Sequence, residues 1–251
     1  TIEKQENAAA FYDVQFNPQN TTADRYVEVS SANTGIAMAE DLAGTVGIYP
    51  VNYGKTTVTV EVSGKKTAIN VFVPNPNSSN VIDLFSDVNT GDWFLDYVQY
   101  AYDKGIMKGV GNYRFAPNES LTRAQIAQIL YANAGSPSVS GTVPFKDVSS
   151  SAWYYNAVRW AYKTKLMSGM SSTKFAPNDN LTHEQLAVVL HNHAGKPSGG
   201  SMPNYSDAKN VSSWAKNAVK WANGKGLLGY VSLEGAKSYG PQKAALRSET
   251  A

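Results

Sequence analysis

Phe115-Ala-Pro-Asn-Glu-Ser-Leu-Thr-Arg-Ala-Gln-Ile-Ala127 and Phe175-Ala-Pro-Asn-Asp-Asn-Leu-Thr-His-Glu-Gln-Leu-Ala187 are two copies of one pattern, sixty residues apart. A third, more divergent copy reads Tyr239-Gly-Pro241 and then Ala245-Leu-Arg-Ser-Glu-Thr-Ala251. Upstream of each, further landmarks recur in the same order: Phe85-Ser-Asp87-Val, Phe145-Lys-Asp147-Val and Tyr205-Ser-Asp207-Ala. They are followed by Trp93, Trp153 and Trp214, by Tyr100-Ala101, Trp160-Ala161 and Trp221-Ala222, and by Ile106-Met107, Leu166-Met167 and Leu227-Leu228. Aromatics, prolines and alanines repeating in order at a fixed period mark a tandem array of one supersecondary unit.

Each unit reads as two helices joined by a loop. The first is expected over about 93–104, with Trp93, Tyr97, Val98 and Ala101 on one stripe and Gly105 and Gly109 after its end. The second starts after Thr122, with Ile126, Ala127, Ile129 and Leu130 as its apolar face. Thr122-x-x-Gln125 and Thr182-x-x-Gln185 are capping boxes; the third copy has Leu246 at that position, so a weaker helix start is expected there. Gly/Ser/Pro-rich linkers fall at 135–142 and 195–204. Helices of about a dozen residues are marginal alone, so the copies must bury their stripes against one another.

The motif order F-x-D-V, W, G-[IL]-[ML]-x-G, F-x-P, L-T-R-A-x resembles the S-layer homology repeat over residues 82–251. The resemblance implies an all-α, pseudo-threefold unit of three helix pairs with grooves between neighbours. Those grooves would hold an anionic, pyruvylated secondary cell-wall polysaccharide and so fix a bacterial surface protein to the wall. Protein–protein assembly within a surface layer, or service as the anchor of a larger surface enzyme, are the alternatives. Peptidoglycan and other surface-layer subunits are further partners the resemblance allows.

The first eighty residues differ. Val27-Glu-Val29, Thr45-Val-Gly-Ile48, Thr57-Val-Thr-Val-Glu-Val62 and Ala68-Ile-Asn-Val-Phe-Val73 are strand-length pieces separated by turn signals at Asn33-Thr-Gly35, Tyr53-Gly54 and Ser63-Gly-Lys65. The last two read as a hairpin, and together they predict a small all-β sandwich. The order of Ser-Ser-Ala-Asn at 30–33, Gly-Thr-Val at 44–46, Tyr-Gly-Lys-Thr-Thr-Val at 53–58 and Val-Phe-Val at 71–73 resembles bacterial Ig-like domains. The expected organisation is a sandwich over 1–75, a linker over 76–81, and repeats over 82–136, 142–196 and 202–251, with the last helix cut short.

Composition narrows the functions. The chain has no cysteine, which removes disulfides, thiolate metal sites and cysteine catalysis. No apolar run approaches the ~20 residues that span a bilayer. Thr1 does not open a basic-then-apolar leader, so a mature or excised fragment is expected, and the resemblance implies a bacterial cell-surface location for it. Residues 1–80 carry five basic and eight acidic side chains, whereas 81–251 carry seventeen and twelve. The repeats thus suit an anionic partner, without the dense Lys/Arg tract of nucleic-acid binders.

Arg123 stands in the first turn of a helix, where the dipole disfavours a cation and free N–H groups favour an anion. A ligand carboxylate or phosphate, or an ion pair with Asp87 or Asp147, would account for it and for Arg247. The resemblance favours the ligand. His183 and Glu184 replace Arg and Ala in the second copy, so that groove is expected to bind weakly or only at lower pH, and His183→Arg to strengthen it. Trp93, Trp153 and Trp214 could stack on sugar rings, but their place at helix starts favours the core. Asp87, Asp147 and Asp207 suit turns or ion pairs better than ligand contacts. Gly109 and Gly169 would allow unusual backbone angles that bring N–H groups to a ligand, while Gly229-Tyr230 leaves the third copy's register open. The candidate binding set is Asp87, Trp93, Gly109, Arg123, Asp147, Trp153, Gly169, His183, Asp207, Trp214 and Arg247. Zinc catalysis is disfavoured: Ala187 occupies the position four after His183, and His191 lies two turns away. No acid stands out as a glycosidase carboxylate. Binding without turnover, cofactor or metal is the expectation.

Overall fold

The computed structural model of the chain describes residues 9–13, 26–228, 231–233 and 236–251. The described residues within 1–99 and 109–116 form one compact unit, and those within 100–108 and 117–251 another.

The first unit is built on strands β1 (Ala10–Asp13), β2 (Val27–Ser31), β3 (Ala37–Asp41), β4 (Thr45–Pro50), β5 (Gly54–Val62) and β6 (Lys65–Val73). They form two antiparallel three-stranded sheets, ordered β1-β4-β3 and β2-β5-β6. Val27, Ala37, Val46, Ile48, Val58, Val60, Val71 and Val73 come from both sheets and share one buried cluster. Burying alternate β-branched side chains between two sheets is what the period-two pattern of Thr57–Val62 dictates. The hairpin turn is Ser63-Gly64, both at positive φ (49° and 78°), as a two-residue turn between right-twisted strands requires. The four expected strands lie within β2, β4, β5 and β6. β1 and β3 lack the β-branched signature; pairing to both edges of β4 makes them strands.

A short helix α1 (Val81–Leu84) follows, capped by the Asn80 side chain. Lys55 on β5 reaches the Val88 carbonyl and the Asn89 side chain, fastening the sheet to the loop after α1. Helix α2 (Leu95–Asp103) buries Val98 and Ala101, but Tyr97 and Trp93 of the expected stripe are exposed.

The second unit contains α3 (Arg123–Asn133), α4 (Tyr155–Lys163), α5 (His183–His193), α6 (Lys216–Gly224) and a small hairpin, β7 (Val231–Leu233) with β8 (Ala236–Ser238). Both capping boxes form: Thr122 Oγ1 accepts from Gln125 N while Gln125 Oε1 accepts from Thr122 N, and Thr182 and Gln185 repeat the exchange. Ile126, Ala127, Ile129 and Leu130 are buried as expected. The second helix of one copy packs on the first helix of the next, α3 on α4 and α5 on α6. Tyr131 meets Trp160 at 5.8 Å between ring centroids, and His191 meets Trp221 at 5.4 Å. The apolar stripes are thus buried between copies rather than within one.

Candidate functional site

Three loops, one from each copy, meet at the starts of α3 and α5 and at the turn over 247–250, where the third copy has no second helix among the described residues, contrary to the expected three helix pairs. Leu121 N donates to Ala245 O, Ala245 N to Leu181 O, and Leu181 N to Leu121 O, closing a ring of backbone hydrogen bonds among three fully buried residues. The next residues repeat the cycle: Arg123 N donates to Asp179 O, His183 N to Lys243 O, and Arg247 N to Glu119 O. A third tier runs from Ala124 N to Pro177 O, Glu184 N to Pro241 O, and Ser248 N to Pro117 O. The first N–H groups of α3 and α5, which any helix leaves without an internal partner, are therefore taken by carbonyls of the following copy. They are not free for an anion, which corrects the expectation drawn from the helix dipole.

The side chains at these positions bridge the same junctions. Arg123 is buried; its Nε donates to Phe175 O at 2.8 Å and its Nη2 to Ser168 O at 2.7 Å. Its guanidinium lies over the Phe175 ring at 4.7 Å. Burial lowers its pKa from the ordinary arginine value, against the longer-range attraction of Asp179 and Asp147. No carboxylate lies within ion-pair distance of Arg123 among the described residues, so the expected pairing with Asp87 or Asp147 does not occur. Nη1 has no protein partner among the described residues and is not sealed from solvent. Arg247 is likewise buried and donates from Nη2 to Lys108 O.

His183 sits differently. Its Nδ1 is 2.9 Å from Tyr239 O and 3.0 Å from Gly240 O, and its Nε2 is 3.1 Å from Glu249 Oε2. Both nitrogens face acceptors, an arrangement in which the protonated ring can donate from each. Burial alone would lower its pKa, but the hydrogen bond and charge of Glu249, with the two carbonyls, outweigh it and raise the value above 6.5, so the surroundings favour the charged ring over the neutral one more than a free histidine's would. Glu184 is not a repelling charge in an open groove. It is buried, and its carboxylate accepts from Ser212 N at 2.9 Å and Ser212 Oγ at 2.8 Å, just ahead of the 3-10 turn that leads into α6.

Asp87, Asp147 and Asp207 are loop clamps. Asp87 accepts from Phe115 N and Ala116 N at 2.8 Å each, and Asp147 from Phe175 N and Ala176 N at 2.8 and 2.7 Å. Asp207 accepts from Tyr239 N, Gly240 N and the Ser238 hydroxyl. Ala116, Ala176 and Gly240 all have φ near +60°, so each clamp pins a left-handed residue, unfavourable for alanine. Burial would raise the Asp147 and Asp207 pKa values, yet these hydrogen bonds leave both lowered. Arg114 adds an ion pair to Asp87 at 3.6 Å.

Gly109 and Gly169 do not have positive φ. They are glycine because a Cβ would lie 2.5 Å from Phe85 Cε1 at the first, and 2.5 and 2.8 Å from Ser171 O and Lys174 O at the second. Gly229-Tyr230 lies outside the described residues.

The tryptophans are not core residues. Trp93, Trp153 and Trp214 are 65%, 64% and 58% exposed. Trp93 and Trp153 stand edge-to-face on the neighbouring Phe94 and Tyr154 at 5.5 and 5.1 Å, which leaves indole surface to solvent. No ring contact or hydrogen bond joins Trp153 to Arg123 among the described residues. Arg123, Asp147 and the Ser168-Gly169 segment do converge, through Phe175. What the sequence reading missed is Glu249, although its alignment with Gln125 and Gln185 marked it as the odd member of that column. In place of a capping hydroxyl at Leu246, Glu249 Oε2 accepts from Leu246 N at 2.6 Å, keeping half of the capping box. Among the described residues there is no metal-binding group of three or more His, Cys, Asp or Glu. No helix among them is long and apolar enough to cross a membrane.

Repeated helix pairs linked through a ring of loops, with clamped turns and exposed tryptophans in each copy, define a tandem-repeat binding module. The S-layer homology domain model matches residues 84–127, 144–187 and 204–251, more than half of the chain, and the protein belongs to that family. It is 32% identical over 154 residues to the Surface-layer 125 kDa protein of Lysinibacillus sphaericus, covering 61% of this chain and 13% of that one. It is 31% identical over 167 residues to an Endoglucanase of Bacillus sp. strain KSM-635, covering 61% and 17%. With the S-layer protein sap of Bacillus anthracis it shares 26% identity over 170 residues, 66% of this chain and 20% of that protein. The chain thus spans a fifth or less of the length of these relatives. S-layer homology domains are non-catalytic anchoring domains that bind cell-wall components, and the protein has a cell-surface location.

Proposed function

We propose that the three copies, over 82–136, 142–196 and 202–251, form a pseudo-threefold anchor whose junctions bind an anionic, pyruvylated secondary cell-wall polysaccharide, with an Ig-like sandwich over 1–75 as a spacer joined by residues 76–81. The observation that carries this reading is the guanidinium of Arg123: two of its nitrogens hold the next copy, while Nη1 remains open to solvent at a junction whose backbone donors are already engaged. A fixed planar cation with one free edge suits a carboxylate or phosphate. Exposed Trp93, Trp153 and Trp214 supply apolar faces for sugar rings. Similar weak sites on one module gain from a repetitive polymer through effective concentration.

The test is sedimentation of the protein with purified cell wall, before and after acid extraction of secondary polymers. Binding that disappears on extraction, and weakens when Trp153 is changed to Ala without loss of fold, supports the reading. Binding that survives extraction points to peptidoglycan or protein instead. A second reading, anchorage of a wall-held enzyme, is favoured by the Endoglucanase among the relatives. It uses the same junctions and differs only in the cargo.

A further inference from the structure

The three junctions are built alike in backbone and differently in charge. Position by position, Arg123, His183 and Arg247 correspond, and so do Gln125, Gln185 and Glu249. Only the last column contains an acid, and that acid contacts the one histidine of the first column. Resting on the anion-binding reading above, we infer that the Glu249 carboxylate is an intramolecular competitor that occupies the cation of the His183 junction and keeps wall anions out of it.

Geometry supports this in three ways. Glu249 Oε2 lies 3.1 Å from His183 Nε2, where a ligand oxygen would sit on an imidazolium whose other nitrogen is committed to Tyr239 O and Gly240 O. That carboxylate is not free to swing away, because Leu246 N also donates to it. The acidic groups nearby add to the exclusion. Tyr239, whose ring lies 5.9 Å from that of His183, has its phenol pKa pushed up by burial and by Glu184, Asp207 and Glu249. Lys243 contributes its carbonyl to His183 N. Glu249 is thus in contact with the ring, and Glu184 and Asp207 act on Tyr239 beside it. An external anion entering here meets a carboxylate already on the ring, whereas no carboxylate lies within ion-pair distance of Arg123 among the described residues, Asp179 and Asp147 acting on it from farther off.

Glu249→Gln installs the residue the other two copies use and retains an acceptor for Leu246 N, so the variant should fold. The probe is a methyl hexopyranoside carrying a 4,6-pyruvate ketal, titrated at pH 5.5 and followed by amide NMR shifts; His183 ring signals are titrated with pH in parallel. In the natural chain the probe should move the amides of Phe175 and Gly169 and leave Tyr239 and Gly240 unmoved. In Glu249→Gln the 239–240 amides should respond, with affinity there rising at least about tenfold, and the His183 pKa should fall. Equal responses at both junctions in the natural chain, or none at 239–240 in the variant, overturn this inference alone. No response at either junction in any protein overturns the anion-binding reading and the inference with it.

Discussion

Replacing Arg123 with Met separates its work inside the fold from its work on a ligand. Methionine keeps most of the volume over Phe175 and adapts to the gap, but it removes the donors to Phe175 O and Ser168 O. Each is a charged donor to a carbonyl at 2.8 or 2.7 Å, worth about 1.5–3 kcal/mol net. The cation over the ring at 4.7 Å adds about 0.5–2 kcal/mol. Against these stands the guanidinium's own burial, a cost that methionine escapes. The balance is a loss of about 3 kcal/mol. With a urea m-value of about 2–3 kcal/mol/M, the midpoint should fall by about 1–1.5 M. Tryptophan fluorescence is a suitable probe, since Trp160 lies against Tyr131 at the α3–α4 contact. Arg123→Lys should fall between the two, because one ammonium is a compact charge without the planar fork that serves both carbonyls. A Met variant whose midpoint stays within about 0.3 M of the natural chain would mean that water satisfies the two carbonyls and that the arginine has no structural task.

Two further outcomes follow from the same geometry. Gly169→Ala should cost about 2–3 kcal/mol by crowding Ser171 O and Lys174 O, whereas Gly135→Ala, at φ +77° with open space around it, should cost only about 1 kcal/mol; equal melting shifts would refute the steric account. The His183–Glu249 pair predicts a pH signature. The histidine pKa is raised above 6.5, so its stabilisation is complete below that value and is lost as pH rises through the folded value. The glutamate pKa is lowered below 4.5, so its share is present above that value and is lost as pH falls through the folded one. The pair therefore contributes most between about pH 4.5 and 6.5, and an alkaline decline seen in the natural chain should be absent from Glu249→Gln. Superimposable pH profiles for the two proteins would remove the pair as its cause.

The sequence exposed what is local and periodic. Capping boxes need only residues three apart, and Thr122 with Gln125 and Thr182 with Gln185 form them as written. The apolar face of α3 and the hairpin turn at Ser63-Gly64 are local in the same sense. What stayed hidden depends on contacts between copies. An arginine at a helix start cannot reveal from its own neighbours that its acceptors are carbonyls 45 and 52 residues away. Nor can a tryptophan just ahead of a helix show which way its indole turns; Trp153, two residues before α4, is exposed while Val158 within α4 is buried. The glycines misled for a related reason: the rule that glycine serves positive φ is local, whereas Gly109 and Gly169 answer to crowding by distant backbone and rings.

The ring of loops explains how the copies could diverge at their most exposed chemistry without losing the fold. Its hydrogen bonds run between main-chain atoms of Leu121, Leu181 and Ala245, and two more tiers of donors follow two and three positions on. None of these bonds depends on the identity of a side chain. The junction therefore keeps its backbone geometry whether the bridging residue is arginine or histidine, and whether it is preceded by threonine or leucine. Charge at each junction is then free to vary: a guanidinium held by two carbonyls of the next copy, a histidine ring in contact with Glu249. In such an arrangement, the number of working junctions is set by single substitutions at positions 123, 183, 247 and 249, while the main-chain ring that holds the copies together stays unchanged.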